Sequence, residues 1–237
     1  EFLEQHKLDA ILVQTPANMR NISGFTGEGL VYTSKEDAWI LTDSRYTIAA
    51  AEESRGFEVL EYKKNIRQYL VEKIVNEHPE LAAKPFRIGF EDAVMTVETY
   101  RTFEALFEKM DLKQWELVPL HKKLDKMRQV KTPEEIESIK KAEAIGDEAF
   151  TKIVKFLTKC YREKKTVTEK QAAAHIEFYM RDAGAEGTSF DTIAASGIHS
   201  SMPHAVPTDK VLEEGDFLTM DFGCLVNGYC SDMTRTI

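Results

Sequence analysis

The sequence contains few cysteines and no long apolar segment. Cys160, Cys224 and Cys230 are its only cysteines in 237 residues, which favours a reducing compartment over a secreted disulfide framework. No apolar run is nearly as long as the roughly 18 to 20 residues that a membrane-spanning helix needs. The first ten residues also lack the pattern of a signal peptide. We therefore expect a cytoplasmic protein without membrane partners. Because the chain does not begin with Met, the alternative of a removed export signal stays open.

Runs of basic residues are also absent. The chain has 31 Lys and Arg against 40 Asp and Glu, a formal net charge of −9 and a pI near 5.3. A surface that follows nucleic-acid phosphates needs clustered positive charge, so we expect no nucleic-acid partner. The hydrophobic fraction of 43% with 30% charged residues is typical of a soluble globular protein of one large or two ordinary domains.

The first half of the sequence alternates β-rich runs with helical patterns, and it shows no repeat or low-complexity segment. Apolar and β-branched residues concentrate in "LDAILVQ", "GLVYTS", "DAWILTD", "FEVLEY", "FRIGFE" and "WELVPL". Helical periodicity is found in "IRQYLVEKIVNEH" and "VETYRTFEALFEKM". These patterns predict an α/β domain over residues 1–125.

The second half begins with two capped helices and ends in strands. Thr132 with Glu135, and Thr168 with Gln171, match the capping box that marks a helix start, and Gly184 is a typical helix terminator. The strands follow in "FDTIAASG", "DFLTMDFGCLV" and "YCSDMTRTI". Residues 126–237 are therefore predicted to be α+β, with an antiparallel hairpin at the end.

The hairpin carries two aspartates in a fixed register. Asn227-Gly228 favours a type I′ turn, which requires positive φ at both central positions. In that register Asp221 lies opposite Thr234, and Asp232 is two residues from Thr234 on the same strand. The two carboxylates then share one face as diagonal neighbours, roughly 7 to 8 Å apart at the backbone.

Two carboxylates on one strand face suggest a metal site. Among Phe217, Thr219 and Leu225 they would not both stay ionised without compensation, since burial and like charge each raise a carboxyl pKa. Hard oxygen ligands suit Mn²⁺ or Mg²⁺ and tolerate Zn²⁺ or Co²⁺, and two ions would activate a water for hydrolysis. The alternative is a solvated face with ordinary surface aspartates.

Other potential ligands near the hairpin are two cysteines and two histidines. In the same register Cys224 and Cys230 fall on opposite faces, which excludes a shared zinc ion or disulfide and favours packing roles. His199 and His204 lie in the preceding loop, "SGIHSSMPHAVPTDKVLEEGD", and both are candidates for a site. The alternative for each is plain solvent exposure.

The segment "MPHAVPTDKVLEEGDFLTMDFGCLVNGYCSDMTRTI" resembles the Xaa-Pro aminopeptidase and prolidase family of metallopeptidases, which share the pita-bread fold. The resemblance implies that Asp221 and Asp232 are the first two ligands of a two-metal site, Asp221 bridging and Asp232 bidentate. It also implies that His204 binds substrate and stabilises developing charge without holding metal. His199 has no counterpart in the family pattern.

The first half resembles the accessory domain of the same family, most clearly in "NMRNISGFTGEGLVYTSKEDAWILTDSRYTIAA". This stretch is more similar to aminopeptidase P than to many prolidases. The resemblance implies that this domain takes part in homodimer or higher homo-oligomer contacts, with Asp43, Arg45 and Tyr46 near a neighbouring subunit. The alternative is that Asp43 or Ser44 merely caps a helix.

The family's full ligand set would add one His and two Glu, with a further site histidine, all downstream of Ile237. We therefore expect a C-terminally truncated chain, with an accessory domain followed by an incomplete pita-bread domain, that is inactive by itself. The unpaired strand edge at Ile237 leads to the same expectation.

For the complete protein, the resemblance implies metal-dependent hydrolysis of Xaa-Pro peptide bonds by an Xaa-Pro aminopeptidase that uses two divalent ions, Mn²⁺ first, on proline-containing peptides. Three alternatives stay open at this point. One is an Xaa-Pro dipeptidase, and another is a creatinase-like enzyme without metal, which both aspartates argue against. The third is a binding module that keeps the fold without catalysis.

Overall fold

In the computed structural model, which describes residues 1–237, the chain divides into two compact units. The N-terminal unit is Glu1–Val130 and the C-terminal unit is Lys131–Ile237. Each unit buries its apolar side chains in clusters of its own. No helix in the chain has both the length and the apolar character that crossing a bilayer requires.

A mixed sheet of six strands forms the centre of the N-terminal unit. The strands are β1 (Ala10–Val13), β2 (Leu30–Ser34), β3 (Ala38–Thr42), β4 (Glu58–Glu61), β5 (Phe86–Phe90) and β6 (Trp115–Pro119). Their order is β4-β3-β2-β1-β5-β6; β2 is antiparallel to β1 and β3, and the other neighbours are parallel. Each strand lies within one of the six predicted β-rich runs, so the α/β prediction is confirmed.

Helices accompany this sheet. They are α1 (Phe2–His6), α2 (Pro16–Ser23), α3 (Thr47–Glu53), α4 (Ile66–Glu77), α5 (Val97–Lys109) and α6 (Lys123–Met127), with a 3-10 helix at Pro79–Ala83. The Asn65 side chain caps α4, and Thr96 caps α5. Successive residues of β1 belong to different apolar clusters, Leu12 to one and Ile11 to the other. Both faces of the sheet are therefore covered.

The "TDSRY" segment does not cap a helix with Asp43 or Ser44. Helix α3 begins after Tyr46, which occupies the cap position without a side-chain hydrogen bond. The Asp43 carboxylate instead accepts hydrogen bonds from the Arg45 backbone and guanidinium at 2.8–2.9 Å, and Arg45 also binds Glu28 at 2.9 Å. The capping alternative is therefore wrong, because both carboxylate oxygens of Asp43 accept hydrogen bonds from the Arg45 guanidinium.

Two capped helices open the C-terminal unit, as predicted. Helix α7 spans Pro133–Arg162 and α8 spans Glu169–Asp182. Both capping boxes are complete, with Thr132 paired to Glu135 and Thr168 to Gln171. Gly184 follows α8 with a φ of 101°, a left-handed conformation that glycine adopts at low cost. The two helices pack on each other and on the strands through an apolar cluster that includes Ala149, Ile176, Met220 and Phe222.

The strands of the C-terminal unit form two three-stranded sheets. They are β7 (Gly187–Thr188), β8 (Ile193–Ser196), β9 (Leu218–Phe222), β10 (Cys224–Val226), β11 (Tyr229–Cys230) and β12 (Met233–Thr236), with a 3-10 helix at Gly197–Ser201. One sheet has the order β11-β10-β7 and the other β12-β9-β8. The predicted hairpin thus extends over two sheets, because its strands are interrupted at Gly223 and at residues 231–232.

Candidate metal centre

The hairpin register is the one predicted from its turn. Asn227 and Gly228 both have positive φ, 49° and 70°. Leu225 pairs with Cys230, and beyond the interruption Asp221 still pairs with Thr234. Cys224 is buried and Cys230 is exposed, with both thiols free. The register agrees with the prediction that the two thiols fall on opposite faces; the predicted packing role holds for Cys224 and is wrong for Cys230, which is exposed.

The aspartates lie on the open face of their sheet. On β9, Leu218, Met220 and Phe222 are buried in the core, whereas Thr219 and Asp221 on the other face are half-buried. Asp232 is exposed, and Phe217 is 70% exposed. The expectation of a carboxylate pair enclosed by apolar side chains is therefore wrong, since helix α7 packs on the opposite side of these strands.

Both aspartates and His204 line one cavity of about 590 Å³. The loop that follows β8 brings His204 to it, while β9 supplies Asp221 and the residue before β12 is Asp232. The remaining lining is mostly apolar: Phe190, Asp191, Thr192, Ile193, Ala205, Val206 and Pro207. All three residues selected from the sequence thus face the same space.

The cavity presents negative charge that no protein cation neutralises. Asp221 accepts a hydrogen bond from the Thr234 hydroxyl at 3.0 Å, and no Lys, Arg or His nitrogen lies within 4.0 Å of either aspartate. The Thr192 hydroxyl, on the same cavity, is buried without a partner. This donor set of hard oxygens fits a divalent cation. No third His, Cys, Asp or Glu ligand atom joins the pair within 4.8 Å.

A buried carboxylate holds the two ends of the loop that carries His204. Glu169, at the start of α8, is 0% exposed and accepts hydrogen bonds from Ser196 N and Oγ at 2.7 and 3.0 Å. It also accepts from Thr208 N and Oγ1 at 3.0 and 2.6 Å. His199 Nδ1 lies 3.0 Å from the same carboxylate, so His199 belongs to the group of residues that contact Glu169 at the ends of this loop. It does not line the cavity.

The hydrogen bonds on Glu169 determine its ionisation. Burial alone would raise the pKa of this carboxyl, but donation from Thr208 and Ser196 outweighs burial and lowers the pKa to about 2. The loop is therefore fixed by a charged group inside the unit. This role was not predictable from the sequence, because Glu169 has the pattern of an ordinary acidic residue in the first turn of a helix.

Gly223 permits the close approach that places Asp232. A Cβ at this position would lie 2.0 Å from the Ser231 carbonyl oxygen and 2.3 Å from Ser189 Oγ. We expect Gly223→Ala to displace the backbone before Asp232 and to cost at least about 2 kcal/mol of unfolding free energy. Urea unfolding followed by circular dichroism measures this cost, with tryptophan fluorescence reporting the N-terminal unit separately, since Trp39 and Trp115 belong to that unit.

Gly187→Ala is the matched control. Gly187 lies on the neighbouring strand β7, where an added Cβ meets nothing nearer than 3.8 Å, so this variant should unfold close to the parent. Equal stability of both variants would show that the Gly223 backbone adjusts freely, which contradicts the prediction.

Two family models match the chain. Residues 1–130 match the Creatinase/Prolidase N-terminal domain, and residues 137–237 match Metallopeptidase family M24. Together these matches cover both units of the structure.

Relatives and solved structures resemble the chain over nearly its whole length. The uncharacterized peptidase YqhT of Bacillus subtilis is 38% identical over 97% of the chain and 61% of its own length. The structure of an Xaa-Pro dipeptidase from Bacillus anthracis matches with TM-score 0.86 and 34% identity over 99% of the chain. An X-Pro aminopeptidase structure from Thermotoga maritima matches with TM-score 0.82 and 33% identity over 100% of the chain.

The chain is shorter than these proteins, since it spans 61% of the Bacillus anthracis structure and 64% of the Thermotoga maritima structure. Membership of a metallopeptidase family implies divalent metal ions, in agreement with the donor set at Asp221 and Asp232. The chain belongs to the Xaa-Pro peptidase family with the pita-bread fold, and it carries that family's creatinase/prolidase N-terminal domain followed by metallopeptidase M24 sequence.

Proposed function

We propose that the complete protein hydrolyses Xaa-Pro peptide bonds as an Xaa-Pro aminopeptidase. One observation carries the proposal: Asp221, Asp232 and His204 line a single cavity in which no protein cation neutralises the aspartates. This arrangement supplies hard oxygen ligands and a neighbouring imidazole, the groups that metal-assisted hydrolysis of an amide requires. Proline-containing peptides are the proposed substrates.

Each residue has a separate task in this proposal. Asp221 and Asp232 would hold divalent ions, Mn²⁺ first, and these ions would supply Lewis-acid chemistry to a water and to the substrate carbonyl. Thr234 orients the Asp221 carboxylate through its 3.0 Å hydrogen bond. His204 donates a hydrogen bond to the oxygen on which negative charge develops. Glu169 keeps the His204 loop in place.

The cavity lining supports a proline-specific site. Phe190, Ile193, Val206 and Pro207 present apolar surface beside the aspartates. A prolyl peptide bond has no N–H to donate, so its recognition depends on the shape of the ring and on the carbonyl group.

A second candidate, an Xaa-Pro dipeptidase, is supported by the names of two similar proteins. The Bacillus anthracis structure is of an Xaa-Pro dipeptidase, and an Xaa-Pro dipeptidase from Pyrococcus furiosus is 32% identical to the chain. The two activities differ in whether the proline must carry a free carboxylate. Asp221, Asp232 and His204 favour neither activity, and the resemblance of the N-terminal half to aminopeptidase P is the reason that we place the aminopeptidase first.

Peptide hydrolysis by the complete gene product tests the proposal. Xaa-Pro dipeptides, Xaa-Pro-Yaa tripeptides and matched Xaa-Ala-Yaa tripeptides are assayed with and without Mn²⁺, beside the 237-residue chain. Mn²⁺-dependent cleavage of Xaa-Pro-Yaa alone is the expected result, and we expect no turnover by the 237-residue chain. Cleavage restricted to dipeptides would establish the dipeptidase, and no cleavage by the metal-loaded protein would favour a binding module.

Further properties belong to the same proposal. We place the protein in the cytoplasm as a homodimer or higher homo-oligomer, with Asp43, Arg45 and Tyr46 near the neighbouring subunit and with no nucleic-acid or membrane partner. The negative net charge and the small number of cysteines support this view. The domain boundary near residue 125 stays a prediction.

A further inference from the structure

Three potential metal ligands meet in the N-terminal unit. Asp37 directly precedes β3, Glu77 is the last residue of α4, and His78 follows it. One ligand atom from each of these side chains lies within 4.8 Å of the other two. The three residues come from the connection between β2 and β3 and from the C-terminal end of α4. They belong to a different unit from Asp221 and Asp232.

The Asp37 and His78 side chains are already held in place. His78 Nε2 lies 2.8 Å from Asp37 Oδ2, and only 18% of the His78 side chain and 12% of the Asp37 side chain are exposed. Ser34 Oγ accepts a hydrogen bond from the Asp37 backbone at 2.9 Å and donates one to Asp37 Oδ2 at 3.2 Å. Little side-chain entropy therefore remains to be lost when a ligand binds.

A buried phenol on the same cavity lacks a partner. Tyr32 is 0% exposed and its hydroxyl has no hydrogen bond, although it lines a cavity with Asp37 and His78. An unpaired polar group in this position is costly. Burial first, and then the negative charge of Asp37, raises the pKa of Tyr32; the Ser34 hydroxyl lowers it, and Asp9 and Glu36 raise it by smaller amounts. The phenol oxygen is thus buried close to negative charge.

The lysines around the cluster are already paired with carboxylates. Lys35 pairs with Glu4 at 3.0 Å. Lys73 contacts Glu77 and lies 3.7 Å from Glu58, so it neutralises part of the Glu77 charge. His78 lies between two carboxylates, since its Nε2 is 2.8 Å from Asp37 Oδ2 and its Nδ1 is 3.5 Å from Oε2 of the exposed Glu36, and it is charged only when protonated.

We propose that Asp37, Glu77 and His78 bind a divalent cation of the zinc class, with Tyr32 or a water completing the coordination. An imidazole with two carboxylates selects Zn²⁺ and its d-block neighbours over Mg²⁺ or Ca²⁺, which prefer oxygen ligands only. Zinc ligands at about 2.0–2.2 Å in a tetrahedron are about 3.4 Å apart. The present spacing of 4.8 Å or less needs closure by roughly 1.4 Å at most, and the Asp37–His78 contact must open slightly.

Lys73 makes the proposal sharply testable, because it competes for the Glu77 carboxylate. The Lys73 ammonium also lies 5.4 Å from the centre of the Trp39 ring, so methionine would retain much of its packing while removing its charge. A metal site predicts that Lys73→Met tightens Zn²⁺ binding. If these residues form only ion pairs and bind no metal, Lys73→Met should change the stability of the protein without changing its Zn²⁺ affinity.

The experiment is calorimetric titration of ZnCl₂ into the untagged 237-residue chain that carries Asp221→Asn and Asp232→Asn, which removes the ligands of the proposed function. We expect one Zn²⁺ per chain in this background, at least tenfold weaker binding in His78→Gln and in Asp37→Asn, and several-fold tighter binding in Lys73→Met. Glu80→Gln is the matched control, since Glu80 lines the same cavity outside the cluster and should change the affinity by less than about twofold.

Two results would overturn the proposal: an absence of Zn²⁺ binding in the background, or equal affinity of the His78→Gln, Asp37→Asn and Glu80→Gln variants. Tryptophan fluorescence reports whether each variant folds, because Trp39 and Trp115 both belong to the N-terminal core. If His78→Gln unfolds, the Asp37→Asn and Lys73→Met results decide. None of these outcomes depends on peptidase activity, so the proposed function is tested independently.

Discussion

Replacing Asp221 or Asp232 by asparagine will abolish peptide hydrolysis by the complete protein. Asparagine keeps the size of the side chain but removes the negative charge, so the cavity loses half of the carboxylate pair that no protein cation compensates. Bound ions supply several kcal/mol of transition-state stabilisation, and each 1.36 kcal/mol is a factor of ten in rate. We therefore expect kcat/KM for an Xaa-Pro-Yaa peptide to fall by at least about a thousandfold.

The metal content of each variant, measured after dialysis, separates loss of metal from loss of folding. Asp209→Asn is the matched control, because Asp209 belongs to the same unit and makes an exposed ion pair with Lys170, outside the cavity. Exposed pairs of this kind contribute little, so the control should retain parental activity and metal. Retained wild-type turnover in either Asp221→Asn or Asp232→Asn would remove both residues from the metal site.

The hairpin register was predictable from sequence because one local turn determines it. Asn227-Gly228 restricts the turn type, and the period of two then decides the face of every residue back to Asp221. The break into two sheets was not predictable in this way. It occurs where the Gly223 backbone closely approaches the Ser231 carbonyl, and no local sequence signal marks that approach.

The capped helices were predictable for the same local reason, and the anchor at Glu169 was not. A capping box lies within four residues, as at Thr168 and Gln171. The donors to Glu169 come from residues 27 and 39 positions away, and nothing in the spacing of Ser196 and Thr208 reveals a common acceptor. Tertiary contacts of this kind account for most of what the sequence left undetermined in the site.

Glu169→Ala will destabilise the C-terminal unit by on the order of 3–5 kcal/mol, the usual cost of breaking a buried charged network. The substitution leaves the Ser196 and Thr208 donors without their buried acceptor, and each such group costs about 1–3 kcal/mol. It also removes the side-chain acceptor that links the two ends of the His204 loop, which then keep only their backbone hydrogen bonds. Glu169→Gln should cost less, because its carbonyl oxygen still accepts while its amide group faces donors.

The destabilisation by Glu169→Gln will depend on pH with a defined sign. The pKa of Glu169 falls from its ordinary 4.5 to about 2 on folding, so the ionised carboxylate stabilises the folded state by about 3 kcal/mol above pH 4.5. This contribution is lost as the pH falls from 4.5 through about 2. The difference in unfolding free energy between parent and Glu169→Gln should therefore be largest near pH 7 and shrink steadily towards pH 2.

Urea unfolding at several pH values checks this dependence, provided that the two units are observed separately. Trp39 and Trp115 both lie in the N-terminal unit, so their fluorescence follows that unit alone, whereas circular dichroism also follows the long helices α7 and α8. Glu137→Gln is the control, since Glu137 is an exposed residue of α7 that pairs with Lys140. A pH-independent difference for Glu169→Gln would mean that the carboxylate is not held ionised, and the His204 loop would then need another explanation for its order.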